Sequence, residues 1–225
     1  EMQYAFYSSK IIDRYCRSAQ RGTLDELVEI RGRIGFRGYK RTDQVAKGEG
    51  AISITPGNLF NGVVSFDNCT YISWAKYEES PEIMVSEGDV LFVKTGSTVG
   101  KVAQVESLPE KINPQMVVFK NCKCNPKYLC YYLQSPAVQD EIRVLAGIGS
   151  VPNISQAKLG SVRIPLISEQ EQESLVVALD QLSNANRDLT TDLSHELELR
   201  RSQYAYYQKA VLSFQELKSK CVQLP

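Results

Sequence analysis

At 225 residues, 43% hydrophobic and 23% charged, the chain is long enough to bury one substantial core and too short for a multi-domain motor or synthase. It contains no run of about 18 apolar residues, which excludes a membrane-spanning helix. Its 26 basic and 26 acidic side chains cancel, so overall charge selects neither nucleic acid nor membrane as a partner.

Residues 1–22 read as a helix. Asp13, Arg14 and Arg17 interrupt its apolar positions, so it lacks the continuous stretch of a secretory signal and the expected compartment is the cytoplasm. Within it, Gln3-Tyr4-Ala5-Phe6-Tyr7 returns as Gln203-Tyr204-Ala205-Tyr206-Tyr207, four identities in five at an offset of 200. The chain thus reads as beginning with the tail of the kind of helix with which it ends, as one unit of a repeating array.

From Arg31 to Lys47 there are six bases (Arg31, Arg33, Arg37, Lys40, Arg41 and Lys47) against Asp43 alone, in a loop interrupted by glycines. Short β-rich runs follow at 51–55, 63–66, 70–74, 89–94, 101–105 and 116–119. Turn chemistry separates them at Pro56-Gly57, Asn61-Gly62, Glu87-Gly88 and Gly96 to Gly100. Six lysines against Glu106 and Glu110 make the stretch from Lys94 to Lys127 a second basic segment. Asn125 caps a helix with Pro126 at its first position, running to about Gln134, and a second helix is expected over 136–146. A Gly-rich loop, Gly147 to Ser150, then leads to a last strand over 162–166.

Ser168-Glu169-Gln170-Glu171 is a capping box that opens a long helix. Apolar residues recur along it at Leu175, Leu179, Leu182, Leu189, Leu193, Leu197, Tyr204, Tyr207 and Val211, by fours and threes with a stutter near Leu193. Some 50 residues at about 1.5 Å each give a rod of roughly 75 Å, which needs a partner helix to bury its seam. Asn186 falls on that seam, where it either fixes register at a cost in stability or faces solvent and is inert. Between Glu169 and Arg200 eight acids stand against Arg187 and Arg200. The basic front therefore suits phosphate and the acidic rear suits protein, the alternative being an ordinary solvated surface. The fold class that follows is α+β: a bent, mostly antiparallel sheet domain with short helices, followed by one long coiled-coil-forming helix.

Gly96-Ser97-Thr98-Val99-Gly100-Lys101 falls short of a nucleotide-binding loop, having three residues between its glycines and Val102 after the lysine. It suits close approach of backbone to a nucleic-acid strand instead. Asn125-Pro126-Lys127-Tyr128 approaches the Asn-Pro-Pro-Tyr motif of adenine methyltransferases, but no Gly-rich cofactor loop precedes it and the helix cap explains it. Of the six cysteines, Cys122, Cys124 and Cys130 cluster without a second C-x-x-C, and the single histidine, His195, is remote. No metal, cofactor or catalytic residue is therefore expected.

Together, four stretches resemble the DNA specificity subunit of type I restriction-modification enzymes. They are Gly32 to Gly38 with Ile54 to Asn58; Glu87 to Val102; Pro152-Asn153-Ile154-Ser155 with Leu159, Ile164 and Pro165; and Ser168-Glu169-Gln170 opening the long helix. The resemblance implies a spacer-helix tail over 1–22, a target recognition domain over 23–165 and a spacer helix over 166–225. Such subunits usually carry two recognition domains. This chain is then either a half-subunit that forms a homodimer through its long helix, or a piece of a longer subunit.

The implied function is non-catalytic: reading double-stranded DNA at a bipartite target for an adenine methyltransferase, with a restriction subunit as a further partner. A coiled-coil scaffold that does not read DNA is the alternative. The residues expected at DNA are Arg31, Arg33, Arg37, Lys40, Arg41, Lys94, Ser97, Lys101, Ser150 and Asn153, chosen from the basic and Gly-rich loops. The expected seam comprises Leu175, Leu179, Leu182, Asn186, Leu189, Leu193, Leu197, Tyr204, Tyr207 and Val211.

Overall fold

The computed structural model describes residues 2–34, 39–147, 149 and 151–221, with side chains for 3–34, 39–147, 149 and 151–211. Contacts divide the chain into two units, residues 1–179 and 180–225.

The first elements are α1 (Met2–Cys16), β1 (Arg21–Thr23), α2 (Leu24–Leu27), β2 (Glu29–Arg31), β3 (Gln44–Val45) and β4 (Gly50–Ile54). Next come β5 (Leu59–Phe60), β6 (Val63–Val64), β7 (Thr70–Ser73), α3 (Trp74–Glu78), β8 (Val90–Phe92), β9 (Val102–Gln104), β10 (Ile112–Pro114) and β11 (Val117–Lys120). The chain continues through α4 (Pro126–Gln134), α5 (Pro136–Ala146), α6 (Gln156–Gly160), β12 (Arg163–Pro165) and α7 (Glu169–Cys221). Six strands form one sheet in the order β2-β11-β8-β9-β6-β5, four form another in the order β10-β4-β7-β3, and β1 pairs with β12.

Successive side chains of a strand point to opposite faces, and in the six-stranded sheet both faces are covered. Val90, Phe92, Val102, Val117 and Phe119 enter a core shared with α1, α4, α5 and the first turns of α7. Leu91, Ala103 and Val118, on the other face, meet Ile52, Ile54, Tyr71 and Ile112 of the four-stranded sheet. The unit is therefore three layers deep, helices on sheet on sheet. Double burial explains why 90–92 is a continuous apolar run, since all three residues are fully buried. The rings of Phe92 and Phe119 stack with centroids 5.5 Å apart.

The helix boundaries follow from their caps. Asn125 accepts from the backbone N–H of Lys127 and Tyr128, with Pro126 at the first position. α5 stops at Gly147, whose φ of +78° is costly for any side chain. At the start of α7 the Ser168 N–H donates to the Glu171 carboxylate at 2.8 Å while the Glu171 N–H donates to Ser168 Oγ at 3.3 Å. The hydrogen bonds from Ser168 hold the Glu171 carboxyl below its ordinary range. α4 is bolted to β12 by its tyrosines: the buried Tyr128 hydroxyl donates to the Pro165 carbonyl at 2.8 Å, and that of Tyr132 to Arg163 at 3.2 Å.

The sheets are mostly antiparallel, as expected, with β10 parallel to β4 and β6 parallel to β9. Other expectations are corrected. Trp74 opens α3 instead of ending a strand, with Ser73 Oγ accepting from Lys76 N–H. The first helix ends at Cys16, and Arg21–Thr23 form β1 where the helix is expected to run on to residue 22. Leu175 and Leu179, expected on the partner-facing seam, are fully buried in the first unit's own core beside Ile12 and Cys16. Leu175→Ala should therefore cost about 2 to 5 kcal/mol in urea unfolding. Val144→Ala, at an exposed site, should stay within about 0.5 kcal/mol.

Candidate nucleic-acid interface

Register brings the exit from β2, with Arg31 and Arg33, to the same end of the six-stranded sheet as the hairpin between Lys94 and Lys101, whereas Lys120 lies opposite Glu29 at the other end. On β11, Val118 lies opposite Arg31 of β2 on one side and Leu91 of β8 on the other, and Val117 lies opposite Phe92. β9 returns with Val102 opposite Phe92. The chain thus leaves β2 toward Arg33 at the same end at which β8 runs into the Gly96–Gly100 turn. Gly32 sits close to its neighbours at that exit: a Cβ there would lie 2.4 Å from Gln156 Nε2, at the end of an exposed side chain that can move, and 3.2 Å from Val117 Cγ1.

The Gly hairpin is joined to residues 152–154, which follow the second Gly-rich loop in sequence. Thr95 Oγ1 donates to Asn153 Oδ1 at 2.7 Å. The Gly96 N–H donates to the Pro152 carbonyl at 2.8 Å and the Ile154 N–H to the Lys94 carbonyl at 2.9 Å. Gly96 and Gly100 carry φ values of +94° and +93°, so the turn needs both glycines. An open groove of about 410 Å³ runs beside it, lined among others by Asn61, Ser97, Thr98, Gln139 and Arg143.

The expected DNA residues have different fates. Ser97, Asn153, Lys40 and Arg41 are exposed, and Lys94 is half-buried at the hairpin base. Lys101 instead turns its ammonium to the carbonyls of Pro56 and Leu59, at 3.3 and 3.4 Å, 5.5 Å over the Phe60 ring. Arg31 pairs with Glu29 at 2.6 Å in a half-exposed contact, of a kind worth little, and that guanidinium is the first cause holding the Glu29 carboxyl below its ordinary range. Arg33 is corrected most: its guanidinium lies 4.4 Å over the Tyr39 ring and donates to Asn113 Oδ1 at 2.9 Å, so it faces protein. Arg37 and Ser150 lie outside the described residues. Sequence reasoning missed Tyr39, Asn113, Asn61 and Arg143. Only Asn113, one of two amides with Gln115 inside the otherwise apolar run 112–118, leaves any signal.

On α7, beyond the buried Leu175 and Leu179, Leu182 and Asn186 are half-exposed. Leu189, Leu193, Leu197, Tyr204, Tyr207 and Val211 are 53% to 70% exposed. This is an apolar row open to solvent within the described residues of the second unit.

The family model for the type I restriction modification DNA specificity domain matches residues 20–199. A type I restriction enzyme specificity subunit from Escherichia coli is 28% identical over 148 residues, covering 64% of this chain and 36% of its own length. The HsdS subunit of Thermoanaerobacter tengcongensis superposes with a TM-score of 0.59 at 16% identity, covering 84% of this chain and 45% of that one. The S subunit of a type I system from M. genitalium gives 0.51 at 15% identity, covering 84% and 52%. The chain thus spans about a third of the curated relative and half of each solved one, and at these identities the superpositions speak for the fold.

The remaining chemistry is that of thiols. Cys16, Cys69, Cys122, Cys124 and Cys130 are free, and among the described residues no group of three or more His, Cys, Asp or Glu could hold a metal ion. Burial pushes Cys122 up to about 12 and Cys124 up to about 11. A thiol must ionise to attack or to ligate, so neither is poised to do so near neutrality. Iodoacetamide at pH 8, with labelled sites located by peptide mass, should modify Cys122 and Cys124 far more slowly in the folded chain than in the urea-unfolded chain, with the folded rate still climbing above pH 9. Rapid labelling of these two thiols in the folded chain would contradict the burial.

Proposed function

We propose that this chain, which belongs to the family of type I restriction modification DNA specificity domains, reads duplex DNA for an adenine methyltransferase without performing chemistry itself. The match over residues 20–199 carries the reading. It is supported by the meeting of the exit from β2, the Gly96–Gly100 hairpin with Lys94 and Lys101, and residues 152–154 at one sheet end, where exposed backbone and cations suit a phosphate backbone and groove edges. Residues 23–165 form the reader on this proposal, with 1–22 and 166–225 as spacer-helix segments. Its partners are double-stranded DNA, methyltransferase subunits and a restriction subunit. Among the described residues no helix is long and apolar enough to cross a membrane.

Lys94, Ser97, Lys40, Arg41 and Asn153 carry the contacts to DNA. Methylome sequencing of a host with and without the chain tests this. Adenine methylation at one bipartite motif should vanish when the chain is absent; an unchanged methylome, with equal binding to any duplex in the presence of methyltransferase, would sink it. Lys94→Ala should weaken all duplexes alike and lower the slope of log affinity against log salt by about 0.9.

The exposed row from Leu189 to Val211 supports a second helix as its cover, and the chain associates as a homodimer through it. Leu189→Glu with Leu193→Glu should give a monomer by sedimentation, since carboxylates in such a seam cost several kcal/mol. A variant that stays dimeric would place association elsewhere.

A further inference from the structure

Resting on the DNA-reading proposal, the geometry points to Arg33 as a positioning residue of the reading surface, locked between Tyr39 and Asn113, and not a contact to phosphate. Its Nη2 donates to the Tyr39 hydroxyl at 2.6 Å and to Asn113 Oδ1 at 2.9 Å, and the guanidinium carbon lies 4.4 Å from the Tyr39 ring centre. The Tyr39 hydroxyl itself donates to the same Asn113 oxygen. One buried amide oxygen therefore anchors two side chains that stand six positions apart in sequence.

The anchor is rigid. Asn113 is fully buried on β10, where it is registered against Ser53 of β4, and Gln115 Nε2 donates to Ser53 Oγ at 3.2 Å. Arg33 follows β2 of the six-stranded sheet, so its side chain ties the exit from that sheet to the four-stranded one. Backbone on both sides is held as well: the Ile34 N–H donates to Glu82 at 2.8 Å and the Lys40 N–H to Asp43 at 2.6 Å. The chain that enters and leaves this part of the basic segment is thereby placed relative to the Gly hairpin. A guanidinium presents several donors in a fixed planar fork and can also lie over a ring; a lysine keeps the charge and loses this geometry.

Arg33→Lys, Tyr39→Phe and their combination separate positioning from contact. In the free chain, amide hydrogen exchange should accelerate in peptides covering 29–34 and 39–45 for both single variants, and the combination should add little. In the methyltransferase complex, affinity for a duplex bearing the methylated motif should fall about tenfold in Arg33→Lys, the scale of one charge-assisted hydrogen bond. Affinity for a random duplex and the salt slope should not change. Wild-type exchange with full motif affinity in Arg33→Lys would overturn the proposal. So would a fall of about one in the salt slope for Arg33→Gln with no effect of Tyr39→Phe, which marks a phosphate contact. If the wild-type complex fails to distinguish the two duplexes, the DNA-reading proposal falls, and unaltered exchange in Arg33→Lys alone then overturns the positioning role.

Discussion

The pairing of β8 with β11, both buried on two faces, is the constraint from which the arrangement follows. A slip of one residue would exchange Phe92 and Val90 with Leu91, sending the first pair toward the four-stranded sheet and the second toward the helices. Both cores oppose that slip, so the register holds against much local variation in the loops. Because β8 and β9 are joined by the Gly turn and β2 is registered on β11, the same pairing decides where the hairpin and the basic segment emerge. The candidate interface lies where it does because of the core and not because of its own residues.

That origin explains why cations near the interface are used so differently. Arg31 is matched by a carboxylate. Lys101 rests on neutral carbonyls, so its charge still adds to the field felt by an approaching polyanion even though its ammonium is engaged. Arg33 spends its directional donors inside the protein. Counting bases in a segment measures the field, while contact depends on which of them the packing leaves exposed.

What could be read in the sequence divides along the same line. The helices α4 and α5 begin and end where Asn125, Pro126, Pro136 and Gly147 say they should, because a cap acts within a few residues of itself. Strands of two or three residues such as β1, β3, β5 and β10 carry too little periodicity to be seen, and exist because distant partners pair with them. The fate of Arg33 is set by Asn113, 80 positions away, and no local pattern announces that. The leucine repeat misleads for a related reason: a helical stripe looks the same whether the chain's own core covers it, as at Leu175 and Leu179, or it stays exposed among the described residues, as at Leu189 and Leu193. The sequence offers the candidate DNA residues only as loops, because reach to a groove is decided by angstroms of placement.

Charge gives the helix a further property. The stretch 169–200 carries eight carboxylates against two guanidiniums, a density that repels phosphate within a Debye length of about 8 Å at physiological salt. On the proposed reading, a duplex drawn to the basic sheet end gains nothing by lying along this helix. The apolar row from Leu189 onward, carrying no lysine or arginine before Arg200, would be a poor competitor for nucleic acid and a good one for another helix. Electrostatics thus sorts the two partners before any contact forms: the surface that can bury leucines is the one that a polyanion avoids.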